Sequence, residues 1–568
     1  MTTRRAGWHP RDAAALAALL ALYAALHWLW SDPWGVELQP TPDAMEYVGA
    51  AESWLENGIP AIALSDGALY PTRYAVGFPA VLAAWMAVFP GGQVAGLALN
   101  WLVGFLVVSL TYLVGRHVAT RLGAFAASAL VALSPRMAEY AEVIMSDPLA
   151  TLLVLAITGV AIARARRGGA LSAILIGTLA GALCTVRLTH VLSLVYILPL
   201  ALLMRRHVRA SDILWGLVGF LPFVVLIAVA QAWLNGSPLR QGYDLWASYA
   251  TTPGQGWNLR FAFREGKEPW EAGMGTRIHP HLHTYVPMLL GLVPRGYLTL
   301  MFYPWPIAVG VVWALFESER HPLRRRWSLI LLIALGVQLA VWSLYYYWAD
   351  RFFMPLMPLA ILLGCAGLTP RLREGWSPRN FARGGLLLLA LLQQCAATQL
   401  YLASTRPWEL SERRGFEALA EHIPPDALVI VDSYHILASD VLTTESAPRR
   451  VMNFAVHGRD MLLHESRAFE VEPLRAGDGR AAALLGNDDH FDPLALAEIR
   501  SAWAEGREVW LVLPDQPLIG PADVARHADG LVRIRNQVDG TLSPVEVEGA
   551  RAHEVWRWTS QSASSSVR

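Results

Sequence analysis

The chain has 568 residues, 54% of them hydrophobic and only 16% charged, whereas an ordinary soluble domain carries about 25% charged residues. That composition excludes a single water-soluble globule and places most of the chain in a bilayer. Its 46 basic and 46 acidic residues balance to +0, so no positive surplus invites nucleic acid, and none is expected as a partner.

The first apolar stretch, 12–31, follows Arg4, Arg5 and Arg11 and ends in Leu26-His27-Trp28-Leu29-Trp30. It lacks a small-x-small cleavage site and reads as a retained span, not a removed signal peptide. Stretches near the span length of about 20 residues recur at 94–115, 170–186, 188–204, 212–233, 297–316, 327–348, 352–368 and 384–403. Shorter spans over 119–134 and 148–163 bring the total to roughly eleven crossings. Segment 77–90 contains Pro79 and ends at Pro90-Gly91-Gly92, and it reads as an interfacial or re-entrant helix.

With that assignment the arginine clusters all fall on one side. Arg116/Arg121, Arg164/Arg166/Arg167, Arg205/Arg206/Arg209, Arg320/Arg324/Arg325/Arg326 and Arg371/Arg373/Arg379/Arg383 then mark cytoplasmic loops by the positive-inside rule. The expected topology is a multi-pass protein of the bacterial cytoplasmic membrane, with its N-terminus inside and outer loops at 32–93, 135–147 and 234–296. Were 77–90 to cross, Asp147 would face the cytoplasm while Asp43 stayed outside.

Residues 1–403 thus read as a membrane domain and 404–568 as an extracytoplasmic α/β domain. In the tail, Ala427-Leu428-Val429-Ile430-Val431 and Val509-Trp510-Leu511-Val512-Leu513 are strand-like runs preceded by helical patterns at 411–422 and 495–505, the alternation expected of a small α/β sheet. Ser560 to Arg568 reads as a frayed polar end. Cys184, Cys365 and Cys395 all fall in predicted spans, which leaves the tail no disulfide to form.

Candidate chemistry gathers at outer span ends. Asp43, in Thr41-Pro42-Asp43-Ala44-Met45-Glu46-Tyr47, stands just beyond the first span, and Asp147 opens a later one. A carboxylate in such a place can take a proton from a hydroxyl, and cations beside it can hold an anion. Asp43 is placed to be that base, and desolvation is expected to raise its pKa. The competing reading is local: Asp43 with Glu46 looks like a capping box, and Asp147-Pro148 like an N-cap followed by Pro.

Several boxes recur in a familiar order: Asp43 with Glu46-Tyr47; Tyr74-Ala75-Val76-Gly77-Phe78-Pro79; Leu133-Ser134-Pro135; Ser146-Asp147-Pro148; Gly181-Ala182-Leu183-Cys184-Thr185-Val186-Arg187; and Asp350-Arg351-Phe352-Phe353-Met354-Pro355-Leu356-Met357-Pro358. In these the chain resembles the GT-C superfamily. The likeness is strongest to bacterial relatives of the protein O-mannosyltransferases (glycosyltransferase family 39) and similar polyprenyl-phosphate-sugar transferases, and it spans residues 1–400. The chain departs from that pattern at the first acids, which are not adjacent, at Ala75-Val76 where the family has prolines, and at Asp147 where relatives carry Glu.

The resemblance implies a GT-C-like α-helical polytopic membrane protein and an inverting glycosyltransferase. It further implies a polyprenyl-phosphate-linked sugar donor, an outward-facing site within membrane lipid, and a glycan, lipid or protein acceptor. Asp43, Glu46 and Asp147 are the expected catalytic acids. Arg351, Arg187 and Arg73 are the expected phosphate-binding cations, for which snorkelling to lipid headgroups is the ordinary alternative. Tyr74, His279, His281 and His283 are candidate substrate-loop residues. The His279-Pro280-His281-x-His283 spacing matches no known ligand set, so no cofactor is expected and a divalent metal is not favoured. The alternative function is a transporter or flippase of lipid-linked sugars. Against it stand the charges at span ends and the lack of a visible internal repeat.

Overall fold

The computed structural model describes residues 9–30, 42–63, 69–167, 169–203, 210–239, 242, 280–292, 303–316, 322–344, 350–369, 377–401, 403, 406–431, 441–444, 447–453, 491–514, 540–550 and 553–560. The predicted spans coincide with helices: α1 (Pro10–Trp30), α4 (Gln93–Val118), α5 (Arg121–Ala132), α7 (Asp147–Arg167), α8 (Ala170–Val186), a 3₁₀ turn (Leu188–Ser193) running into α9 (Leu194–Leu203), α10 (Ala210–Asn235), α12 (Trp305–Phe316), α13 (Pro322–Leu344), a second 3₁₀ turn (Asp350–Leu356) running into α14 (Met357–Leu368), and α15 (Pro378–Leu400). Among the described residues, six helices are long and apolar enough to cross a membrane. The inter-span helices are α2 (Pro42–Asn57), α3 (Gly77–Val88), α6 (Pro135–Glu142) and α11 (Pro280–Leu289).

Helix α3 covers the segment read as interfacial. Its 12 residues extend about 18 Å at 1.5 Å per residue, well short of the roughly 30 Å hydrocarbon thickness. Helices α5, α12 and α14 are also 12 residues long, and what sets α3 apart is where its flanks lie. Gly77 packs on Thr185 at the close of α8, and Gly96, near the start of α4, packs on Ile144 just ahead of α7, so the chain returns to the same end of the bundle before α4 begins. Helix α14 lies at the centre, with every residue buried. By contrast α10 touches the bundle through α8, where Gly177 faces the Gly216 backbone and Gly219 the Ile174 carbonyl. Such small-residue faces let membrane helices approach backbone to backbone. Arg383, read from sequence as a loop cation, instead lies a turn into α15, buried with its guanidinium 5.1 Å from the Trp313 ring centre.

The tail forms a five-stranded sheet of β3 (Leu428–Val431), β6 (Arg450–Asn453), β7 (Val509–Pro514), β8 (Gly540–Pro544) and β9 (His553–Ser560), in the order β6-β3-β7-β9-β8. Short ladders β1 (Ala61–Ala63) with β2 (Leu69–Pro71) and β4 (Thr443–Thr444) with β5 (Ala447–Pro448) complete the strands. β3 pairs in parallel with both β6 and β7, while β9 runs antiparallel to β7 and β8. Alternation along β3 divides the core. Val429 and Val431 pack with Phe416 and Leu419 of α16 (Arg406–His422), and Leu428 and Ile430 with Ile499 and Ala502 of α17 (Phe491–Ala504). Helices thus cover both faces of the sheet, as parallel strands require.

Candidate active site

Five segments of the chain meet at one end of the bundle. Pro42 opens α2, a first-turn position where its missing N–H costs nothing, and Asp43 follows. Asp43 Oδ1 accepts the Tyr74 hydroxyl. Its Oδ2 lies 3.0 Å from Nη1 of Arg351 and 3.8 Å from Nη2 of Arg187. Arg187 ends α8 in extended conformation, and its Nη1 donates to Oδ2 of fully buried Asp147 at 2.9 Å. The four charges alternate as Asp147–Arg187–Asp43–Arg351, a chain that shares one end of α2, α7, α8 and α14. Asp43 and Asp147 therefore stand on the same side, as the parity of the crossings requires.

Glu46, three residues on from Asp43, faces the same way on the helix. It forms an ion pair with the Arg73 guanidinium and accepts the Arg73 backbone N–H at 3.1 Å. Arg73, expected on a phosphate with the other two arginines, thus has its guanidinium on Glu46. That clamp fixes the loop that carries Tyr74 onto α2. Tyr47 completes the unit: its hydroxyl lies 3.1 Å from Ser146 Oγ, and its ring meets Tyr74 at 5.0 Å and Phe78 edge-on at 4.9 Å. None of the three acids directs its carboxylate into a capping box of the kind the sequence offered; their partners are Tyr74 and the arginines.

Two local features hold these segments in place. A Cβ on Gly77 would sit 2.5 Å from the Thr185 carbonyl and hydroxyl, so only glycine lets α3 rest on α8 two residues before Arg187. Ser134 caps α6 ahead of Pro135, and Asn100 Nδ2 donates to the carbonyls of Tyr140 and Met145 at 3.3 Å each. These bonds order the loop that delivers Ser146 and Asp147.

The electrostatics correct one expectation. Burial alone would raise the Asp43 pKa, but Arg351, Arg187, the Tyr74 hydrogen bond and Arg73 together outweigh it and hold the carboxyl below its usual value. Asp43 is thus ionised, as a base must be, yet in this state its basicity is restrained by its own cations.

Of the remaining expected site residues, His279 lies outside the described residues, as do the side chains of His281 and His283 on α11. Among the described residues no group of three or more His, Cys, Asp or Glu side chains could hold a metal ion. The sequence reading missed His190, buried on the 3₁₀ turn just after Arg187, and Met145, whose Sδ lies 4.0 Å from Arg351 Nη1. No spacing rule marked either; only the folded chain brings them here.

No protein-family model and no curated protein matches this sequence. Solved structures do. ArnT from Cupriavidus metallidurans bound to undecaprenyl phosphate superposes with a TM-score of 0.54 at 13% identity, covering 96% of this chain and 97% of that one. The oligosaccharyltransferase AglB from Archaeoglobus fulgidus, in complex with an inhibitory peptide and a dolichol-phosphate, gives 0.50 at 12% identity over 98% of this chain and 75% of that one. The mycobacterial arabinofuranosyltransferase AftD gives 0.51 at 15% identity over 96% of this chain but 40% of its own.

Proposed function

From the GT-C fold that the chain shares with these membrane proteins, we propose that it is an inverting glycosyltransferase. It moves a sugar from a polyprenyl-phosphate carrier to an acceptor hydroxyl at the outer face of the cytoplasmic membrane. The observation that carries this reading is Asp43, a buried carboxylate flanked by Arg351 and Arg187 at a shared helix end. Lipid phosphates bound by ArnT and AglB support the donor class.

The chemistry follows from the charges. The acceptor oxygen attacks the anomeric carbon as the carbon–oxygen bond to phosphate breaks, and the hydroxyl proton passes to Asp43. The phosphate leaves with both electrons of that bond and meets Arg351 and Arg187. A positioned base contributes about 10²–10⁴-fold, and fixed cations favour the charge that develops on the leaving group. Donor binding also tunes the base. A carrier phosphate beside Arg351 and Arg187 offsets their field at Asp43, and the carboxyl becomes more basic once the donor is in place. Asp147 keeps Arg187 aimed, and the Glu46–Arg73 clamp keeps Tyr74 on Asp43.

Cells carrying Asp43→Asn at wild-type protein level test this reading through their envelope glycan and lipid profile. The expected result is loss of one glycan modification together with accumulation of a polyprenyl-phosphate sugar, which names both substrates. An unchanged profile removes Asp43 from the chemistry. A carrier-linked sugar trapped on the cytoplasmic leaflet favours a flippase.

A further inference from the structure

His190 lies on the 3₁₀ turn that begins directly after Arg187, and its backbone N–H donates to the Arg187 carbonyl at 3.0 Å. Its side chain is 3% exposed, and Nε2 has no hydrogen-bond partner among the described residues. Arg187, whose carbonyl holds the His190 N–H, shares the Asp43 Oδ2 with Arg351, which sets this turn next to the two cations of the candidate site. Three residues further, Ser193 is 1% exposed and its Oγ is likewise unpartnered. Residues three apart share a face of a 3₁₀ helix, so the turn presents two unsatisfied polar groups on one side.

Buried polar groups without partners are uncommon because each forfeits its hydration. Arg187 and Arg351 could donate to an unprotonated Nε2, yet neither is within hydrogen-bond distance of it, which leaves Nε2 able to carry the ring proton. A bound ligand would complete this face, and the two arginines nearby suit an anionic oxygen. We propose that His190 is a further binding residue for the donor, its Nε2–H donating to a non-bridging oxygen of the carrier phosphate held by Arg351 and Arg187. Ser193 supplies a second, weaker donor from the same face. This inference rests on the glycosyltransferase reading above, because it needs a lipid phosphate at the two arginines.

The test uses the full-length protein in lipid nanodiscs and measures binding of undecaprenyl phosphate, with undecaprenol as the probe that lacks the phosphate. Wild type is expected to prefer the phosphate. A hydrogen bond to a charged group is lost in His190→Ala, so that preference should fall roughly tenfold, and His190→Gln, whose amide still donates, should recover part of it. Wild-type preference retained in His190→Ala overturns the inference and leaves the proposed function standing. Equal weakening toward both lipids, with a lower melting temperature of the unliganded protein, assigns His190 a structural role and also overturns it. A wild-type protein that does not distinguish the two lipids overturns the donor reading itself.

Discussion

Two aspartates at opposite ends of the bundle are held by the same kinds of partner, and only one belongs to the candidate site. Asp12 accepts the Tyr112 hydroxyl at 2.8 Å and pairs with Arg116 at 2.8 Å and Arg121 at 3.2 Å. Asp43 has Tyr74, Arg351 and Arg187 in corresponding roles. The difference lies in origin and in completion. Arg116 and Arg121 flank a single turn between α4 and α5, and Asp12 also closes its own helix by accepting the His9 N–H at 3.0 Å. That bond is the reciprocal half of a capping box, the arrangement that the sequence suggested at Asp43 and that the fold places at Asp12. The cations of Asp43 come from positions 187 and 351, a second carboxylate shares one of them, and neighbouring polar atoms on Asp147, His190 and Ser193 lack partners among the described residues. Partner chemistry alone does not distinguish a staple from a site. Distant convergence and unfilled hydrogen-bonding capacity do.

The sharpest way to break this comparison is to neutralise both acids in turn. Asp43→Asn should lower turnover per folded molecule by about 10²–10⁴-fold, beyond any loss of stability that follows from leaving Arg351 and Arg187 without its charge. Asp12→Asn should leave turnover per folded molecule unchanged while lowering the melting temperature. A fully stable Asp12→Asn protein without activity would erase the distinction.

The arginines give the next largest contrast. Arg187→Ala leaves buried Asp147 without its cation, and losing one member of a buried pair costs about 3–5 kcal/mol. Arg121 is 43% exposed on its side chain, and its alanine variant should cost about 0–1 kcal/mol. Denaturation of the two variants in the same detergent decides whether burial governs the outcome.

Glycines extend the contrast to packing. Gly77→Ala drives a methyl group into the Thr185 backbone and hydroxyl, for an expected loss of about 1–3 kcal/mol by overpacking and a raised KM as Tyr74 shifts. At Gly385 an added methyl group would meet nothing within 4 Å among the described residues, so Gly385→Ala should cause no loss. Equal melting temperatures for the two variants would show that the α3–α8 contact yields easily.

The pH dependence is the subtlest effect. Because the Asp43 carboxyl is held below its usual value, the free protein keeps it ionised through the ordinary aspartate range. Its ionic contribution to stability is complete above the unfolded aspartate pKa and is lost as pH falls through the depressed folded value. The acid limb of kcat/KM should therefore lie below the ordinary aspartate range, and the limb of kcat higher, because bound phosphate offsets the arginines. Coincident limbs would refute tuning by the donor.

Much of this molecule was legible from sequence where the signal is local or periodic. Apolar runs of span length located the membrane helices, because a helix in lipid must be apolar along its length. Alternation along Leu428–Val431 and Val509–Leu513 marked two neighbouring parallel strands. The outer part of that sheet was not singled out: in His553–Ser560 and Gly540–Pro544 the apolar positions are interrupted by Arg, Thr and Ser, and pairing with β7 supplies what the pattern lacks. The acids and arginines of the site were visible as residues at span ends. Their pairing was not, since Asp43 meets Arg351 across more than half the chain, and sequence distance carries no information about which charges converge. The sequence by itself determined a bundle of apolar helices with charge confined to their ends. Tertiary structure alone decided that Arg73 serves Glu46, that Arg187 bridges two acids, that the Asp43 carboxyl is held low rather than raised, and that His190 stands beside them, because Coulombic balance in a buried cluster depends on distances of a few ångströms.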